Sequence, residues 1–248
     1  MTAATTRVAS AARGTHTAGR SPEELRDLVS HVGAELELAP AEHIIEWAVA
    51  TFGERFCITS SMGDAVLAHL ASTVAPGIDV VFLDTGYHFA ETIGTRDWIT
   101  SVLPLTLVNV TPPRTVAQQD AEFGPRLFER DPDLCCSLRK VQPLAQTLSG
   151  YVAWGSGIRR DESPSRVDTR LVDWDAKREM IKINPLAAWR QHDVDAYVAE
   201  HQIPVNPLVE LGFASIGCAP CTRPVAPGED ARAGRWAGRS KTECGIHA

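Results

Sequence analysis

The chain has 248 residues, 44% hydrophobic and 22% charged, enough to bury a core as one large domain or two small ones. No apolar run approaches the roughly 18 residues of a membrane span, so a soluble protein is expected. A net charge of −7 argues against a general nucleic-acid coat.

Residues 1–20, "MTAATTRVASAARGTHTAGR", lack acids and are rich in Thr, Ala and Arg, as in a transit peptide or a disordered bacterial leader. They hold no apolar stretch for secretion, so a cytoplasmic setting is expected. The six cysteines are then thiols or metal ligands rather than disulfide staples. "SPEEL" opens the first helix, with Ser21 as cap, Pro22 in the first turn and Glu24 completing a capping box. A second helix is expected over residues 41–51, where Ile44, Ile45, Trp47 and Ala48 share a face and Gly53 ends it.

The pattern then changes. "RFCITS" reads as a strand, "GDAVLAHLAS" as a helix, "IDVVFLD" as a buried strand and "ETIGTRDWIT" as a helix. "LTLVNV" is a strand, residues 114–122 are helical, "YVAWGS" is a strand, and "WRQHDVDAYVAEH" after "IKINPL" is the last helix. Apolar strands alternating with helices predict an α/β fold, a single domain with a mostly parallel sheet covered on both faces. Beyond Pro204 the chain is irregular and rich in Gly, Pro and Cys. Ligands of such sheets sit at the carboxyl ends of the strands, where "TSSMGD", "LDTGYH" and "GSGIRRDESPSR" fall.

"TSSMGD" puts Ser60, Ser61 and Gly63 at a strand-to-helix junction whose free amides and hydroxyls suit a phosphate, or which simply caps a helix. The cysteines carry a stronger signal. Cys135 and Cys136 adjoin in "DLCCSLRK", and Cys218 and Cys221 form a C-x-x-C far downstream. Neighbouring cysteines make a poor disulfide, and four thiolates split this way fit one Cys₄ site. Zinc is one occupant, although it usually draws two C-x-x-C knuckles; an iron–sulfur cluster is the other. Arg139 and Lys140 follow at once and can offset a cluster's negative charge. Cys57, inside "FCIT", reads as core filler. Cys244 lies near the end with Lys241 before it and His247 after it, so it is either an activated nucleophile or a spare ligand. Residues 223–243 carry five cations against three acids, which suits an anionic ligand or a solvated tail.

Together, "SSMGD", "LDTG", "CCSLRK", "GIRRDESPSR", "CAPC" and the ending "ECGIH" resemble the assimilatory sulfonucleotide reductases, in their iron–sulfur-dependent adenylylsulfate (APS) branch. The resemblance runs from about Ser21 to the end. Two departures stand out: the loop lacks the Ala-Glu-Asp form, and the aromatic cluster after Gly-Arg-Trp is reduced to "GRWAGR". The resemblance implies an adenine nucleotide alpha hydrolase-like fold over residues 21–221 and a mobile catalytic tail over residues 222–248. It implies that Cys244 attacks the sulfur of adenosine 5′-phosphosulfate, that AMP leaves, and that thioredoxin releases sulfite from the resulting S-sulfocysteine. Cys135, Cys136, Cys218 and Cys221 would hold one 4Fe–4S cluster. Lys140, Arg232, Arg235 and His247 match positions around the phosphosulfate, with Arg166 as a further anion contact. Ser60, Ser61, Asp64, Leu83 and Thr85 match those that hold the nucleotide. The alternatives are the 3′-phosphorylated substrate PAPS, alone or beside APS, an ATP-dependent sulfur transferase that thiolates tRNA, or a metal-stabilised binding module. A homo-oligomer is compatible with all of them.

Overall fold

A computed structural model describes residues 5–8 and 20–247. A seven-stranded sheet, ordered β1-β4-β3-β2-β5-β7-β6, forms its centre. The strands are β1 (Thr5–Val8), β2 (Phe56–Thr59), β3 (Asp79–Leu83), β4 (Thr106–Val110), β5 (Ala153–Gly155), β6 (Val172–Asp175) and β7 (Met180–Ile183). All neighbours pair in parallel except β6 with β7. The expected mostly parallel α/β sheet is present.

The helices follow the apolar pattern. In α1 (Pro22–Leu36), Ser21 and Glu24 form the reciprocal cap expected from "SPEEL". In α2 (Ala41–Phe52), Ile44, Ile45 and Ala48 are wholly buried, and Gly53 ends the helix at φ 54°, where a Cβ would be strained. The next helices are α3 (Val66–Val74), α4 (Ala90–Val102), α5 (Val116–Phe123), α6 (Leu127–Arg130), α7 (Pro132–Cys136), α8 (Gln142–Leu148) and α9 (Gln191–His201). Period-two alternation divides the core into two layers. Phe56, Ile58, Val80 and Phe82 face one side with α1, α2 and α3 residues, whereas Cys57, Val81 and Trp154 face the other with Leu144 and Leu148 of α8. Cys57 is therefore core filling, wholly buried in the second layer.

Two elements depart from the sequence expectation. Thr5–Val8, inside the stretch taken for a disordered leader, pairs with β4 as an edge strand; residues 1–4 and 9–19 lie outside the described residues. β6 pairs with β7 although Asp173 and Asp175 interrupt its apolar pattern, because Asp175 is consumed locally by Arg178 and by the indole of Trp154.

The order of the strands positions the site. From β2 the chain steps outward through β3 and β4, then returns to the opposite side of β2 as β5. Crossovers diverging from one pair of strands leave a crevice at their carboxyl ends, here between β2 and β5. Residues 60–64 and 156–166 open into it. The two strands approach closely: a Cβ on Gly155 would lie 2.9 Å from Ile58 Cγ2.

Candidate active site

The loop after β2 is braced from behind. Met62 is buried at φ 59°, and the Asn206 side chain donates to its carbonyl at 3.1 Å while the Asn206 amide donates to Gly63 O at 2.9 Å. Ser60 Oγ accepts from the Met62 amide at 3.2 Å, Ser61 is exposed, and Asp64, just before α3, accepts from the Val66 amide at 3.0 Å. Burial pushes the Asp64 carboxyl above the usual carboxylate range, against the pull of that amide and of Arg159.

The four candidate ligand cysteines meet. Asp131 caps α7 through the Leu134 amide at 2.9 Å, which fixes Cys135 and Cys136 at the helix end, both buried. Ser137–Val141 then widens into a π turn. Such turns add a residue to the helical circuit and re-aim side chains, and here Arg139 and Lys140 both become buried. Cys218 and Cys221 flank a tight turn tied down by Ala219 N–H to Tyr87 O at 2.7 Å and Trp236 N–H to Cys221 O at 3.0 Å. All four cysteines line one recess, with Tyr87, Arg139, Lys140, Arg235 and Trp236 in its wall. Among the described residues no three His, Cys, Asp or Glu side chains are grouped so as to hold a single metal ion.

The electrostatics of the recess are uneven. Burial raises Cys135 to about 11 and Cys136 to about 12, whereas Cys218 is held below the ordinary thiol value. Burial opposes that lowering too, but Lys140, the Thr85 hydroxyl at 3.4 Å and Arg235 outweigh it. The Lys140 ammonium is buried, yet its pKa is raised because it faces the sulfurs of Cys218, Cys244 and Cys136, with Arg235 opposing.

Leu83 and Thr85 have a role the sequence did not signal. Thr85 is fully buried against Cys218, its carbonyl accepts from Arg139 Nε, and His88 Nε2 donates to Leu83 O at 2.7 Å. Gly86, at φ 74°, lets Arg139 pass, since a Cβ there would lie 3.1 Å from its Nη2. The "LDTG" loop thus walls the cysteine recess as well as ending β3.

The tail lies across the crevice. Arg239 donates to Phe128 O at 3.2 Å, and Lys241 pairs with Asp133. Arg166 grips Glu243 as a fork at 3.0 and 3.1 Å, and Arg232 adds bonds to Glu243 at 3.0 Å and to Thr242 O at 2.8 Å. Arg178 donates to Ile246 O at 3.0 Å, and the His247 ring stacks on Trp154 at 5.8 Å and 8°.

A family model, the phosphoadenosine phosphosulfate reductase domain, matches residues 55–224. The chain belongs to this family. It is 62% identical, over 92% of its length and 97% of the relative's, to the adenosine 5′-phosphosulfate reductase of Streptomyces coelicolor. It is 54% identical, over 90% of its length and 95% of the relative's, to the reductase of the same name from Mycolicibacterium smegmatis. Among solved structures, the phosphoadenylyl-sulfate reductase of Candida auris, a phosphate complex, superposes with a TM-score of 0.69 at 26% identity, covering 84% of this chain and all of the other. The FMN adenylyltransferase of Candida glabrata shares the fold alone, at TM-score 0.51 and 13% identity over 81% of this chain and 74% of that one.

Within this reductase fold the residues singled out in the sequence fall into three linked groups. Cys135, Cys136, Cys218, Cys221, Lys140 and Arg235 surround the recess. Cys244 lies within electrostatic reach of Cys136 and Lys140 at its edge. Arg166 meets the tail residues Arg232 and His247 where the tail docks, and Ser60, Ser61 and Asp64 stand at the β2 end. A polar relay joins the last two groups: Asp64 faces Arg159 and Glu162, and Glu162 accepts from Arg166. Glu162, Arg178, Asp175 and Glu243 were missed. "GIRRDESPSR" carried the first and "ECGIH" the last, but nothing local marks Arg178 or Asp175.

His247 makes tail docking pH-dependent. Burial, then Lys182, Arg166, Arg178 and Arg232, hold its imidazole well below the ordinary value of 6.5, so the docked ring is neutral. A released ring regains that ordinary value. Docking is therefore fully supported above pH 6.5 and weakens as pH falls toward the depressed value. Trypsin cleavage after Lys241, referenced to the free peptide at each pH, is expected to accelerate from pH 7.5 to 5.5. His247→Phe keeps a stacking ring and is expected to flatten the profile.

Among the described residues no helix is long and apolar enough to cross a membrane.

Proposed function

We propose that the protein reduces adenosine 5′-phosphosulfate to sulfite and AMP, with thioredoxin as a separate reductant, in cytoplasmic sulfate assimilation toward cysteine. The observation that carries this reading is the recess in which Cys135, Cys136, Cys218 and Cys221 surround buried Lys140, with Cys244 of the tail within electrostatic reach of that ammonium. One ammonium shared between a ligand cysteine and a free thiol links the inorganic site to a nucleophile.

In this reading Cys244 attacks the sulfur as its thiolate. The bond from sulfur to the phosphate oxygen breaks, AMP takes the electron pair, and the protein keeps a Cys244 S-sulfonate. A thioredoxin thiolate then attacks Cys244 Sγ and expels sulfite, and its second thiol resolves the mixed disulfide. The two electrons come from that dithiol. Charge builds on the leaving phosphate, and Arg166, Arg232, Arg235 and Lys140 are the cations available to meet it. Guanidinium groups suit planar bidentate contact with such oxygens, and one well-aimed donor contributes about 3 kcal/mol to the transition state. Ser60, Ser61 and Asp64, with Leu83 and Thr85, border the crevice where the nucleotide would lie.

Cys135, Cys136, Cys218 and Cys221 would hold one 4Fe–4S cluster. Their recess, with Arg139, Lys140 and Arg235 in its wall, fits a group that brings negative charge. When bound, it supplies a fixed anionic centre that orients Lys140 toward the sulfate. PAPS is the second reading, favoured by the fold match to the Candida auris enzyme, though at 26% identity against 62% for the APS-named relative.

The test is incubation of the iron-loaded protein with ³⁵S-labelled APS or PAPS, without reductant, followed by peptide mapping. Label on the peptide holding Cys244, released as sulfite by reduced thioredoxin, supports the reading. Label elsewhere, or none from either nucleotide, ends it. Label from PAPS alone moves the substrate to the second reading.

A further inference from the structure

Glu243 occupies the cations that the proposed substrate needs. Its carboxylate takes a two-pronged contact from Arg166 at 3.0 and 3.1 Å and a third bond from Arg232 at 3.0 Å. Both arginines are well enclosed, their side chains 11% and 14% exposed, so solvent screens these contacts little. Arg166 is also paired with Glu162, but that acid sits four residues away on the same loop and stays with it. Glu243 belongs to the tail and is the partner able to leave.

Arg166 and Arg232 can satisfy either a carboxylate or a phosphosulfate in this geometry, and one set of N–H donors cannot serve both. Glu243 also adjoins Cys244, about 3.8 Å along the backbone, so whatever holds it fixes the thiol over the crevice.

We infer that Glu243 is an internal stand-in for the substrate's anion, which holds the tail over the site until the phosphosulfate displaces it from Arg166 and Arg232. The inference rests on the proposed reading and adds to it a competitor carried by the chain itself. Glu243 lowers apparent affinity by occupying the binding-competent state, and its displacement frees the segment that carries Cys244. Arg178 and Trp154 hold the tail further along, at Ile246 and His247, so exchange at Glu243 leaves a second anchor. The step is ionic only, and no covalent bond changes.

The experiment compares APS binding by Cys244→Ser with that of the Cys244→Ser, Glu243→Gln double variant, both iron-loaded and full-length, by titration calorimetry. Glutamine keeps the shape and removes the charge. The double variant is expected to bind about tenfold more tightly. In the Glu243→Gln single variant without ligand, iodoacetamide should alkylate Cys244 several-fold faster than in the unaltered chain. Equal or weaker APS binding by the double variant overturns the inference while leaving the substrate intact. Absence of APS binding by both proteins overturns the substrate reading, and the inference with it.

Discussion

Cys244→Ser protein is expected to release no measurable sulfite from APS while keeping its iron and its visible absorption. The substitution changes one atom in a half-buried side chain, so the fold has little to lose. The hydroxyl is a far weaker nucleophile than a thiolate near neutral pH. His247, three residues along, is stacked on Trp154, and burial holds its imidazole well below the ordinary value. Turnover should fall by roughly 10⁴-fold or more, the scale typical of losing a covalent nucleophile. Iron content discriminates the causes: were Cys244 a spare ligand, iron would fall along with activity. A variant that keeps more than about a hundredth of the activity would move the chemistry to another residue.

What the sequence made legible follows from the range of the forces involved. The continuous apolar runs in "FCIT" and "DVVFL" are local and marked buried strands, although which side Phe56, Cys57 and Ile58 face is set by the folded sheet. The Ser21–Glu24 cap spans three residues and was visible for the same reason. β6 was not, because Asp173 and Asp175 break its apolar pattern and Asp175 is met by Arg178 in the following turn and by the Trp154 indole on β5. β1 was hidden because four residues of mixed polarity at a sheet edge carry no period to detect. The π turn at Ser137–Val141 has no composition of its own, yet it sets where Arg139 and Lys140 lie. Family resemblance collected the site residues but could not say what they touch in the absence of ligand. That Arg166 meets Glu243, 77 positions apart in sequence, is a fact of the folded chain alone.

The second large effect concerns Cys218. Cys218→Ala is expected to leave the protein without cluster iron, acid-labile sulfide or brown colour, and without activity, whereas Cys57→Ala keeps all of these. Both are single-sulfur deletions in the interior of one chain, so their contrast separates ligation from packing. Cys57 lies between Val81, Leu144 and Trp154 and contributes volume; its loss should cost about 1–2 kcal/mol of stability and no metal. Cys218 faces Thr85 and Lys140 instead; burial opposes ionisation there, but Lys140 and the Thr85 hydroxyl hold its thiol below the ordinary value, and a Cys218 thiolate would be a counter-charge for that buried ammonium. Removing one partner of a buried ionic pair leaves the other uncompensated, at a typical cost of about 3–5 kcal/mol. The expected result is therefore a double loss, in iron stoichiometry from about four toward zero and in melting temperature beyond that of Cys57→Ala. Full iron retained by Cys218→Ala, or a single zinc in the unaltered protein, would remove the four-thiolate cluster from the account. Equal melting losses in the two variants would show instead that Lys140 has found its counter-charge elsewhere, with Cys244 and Cys136 the remaining sulfurs in its reach.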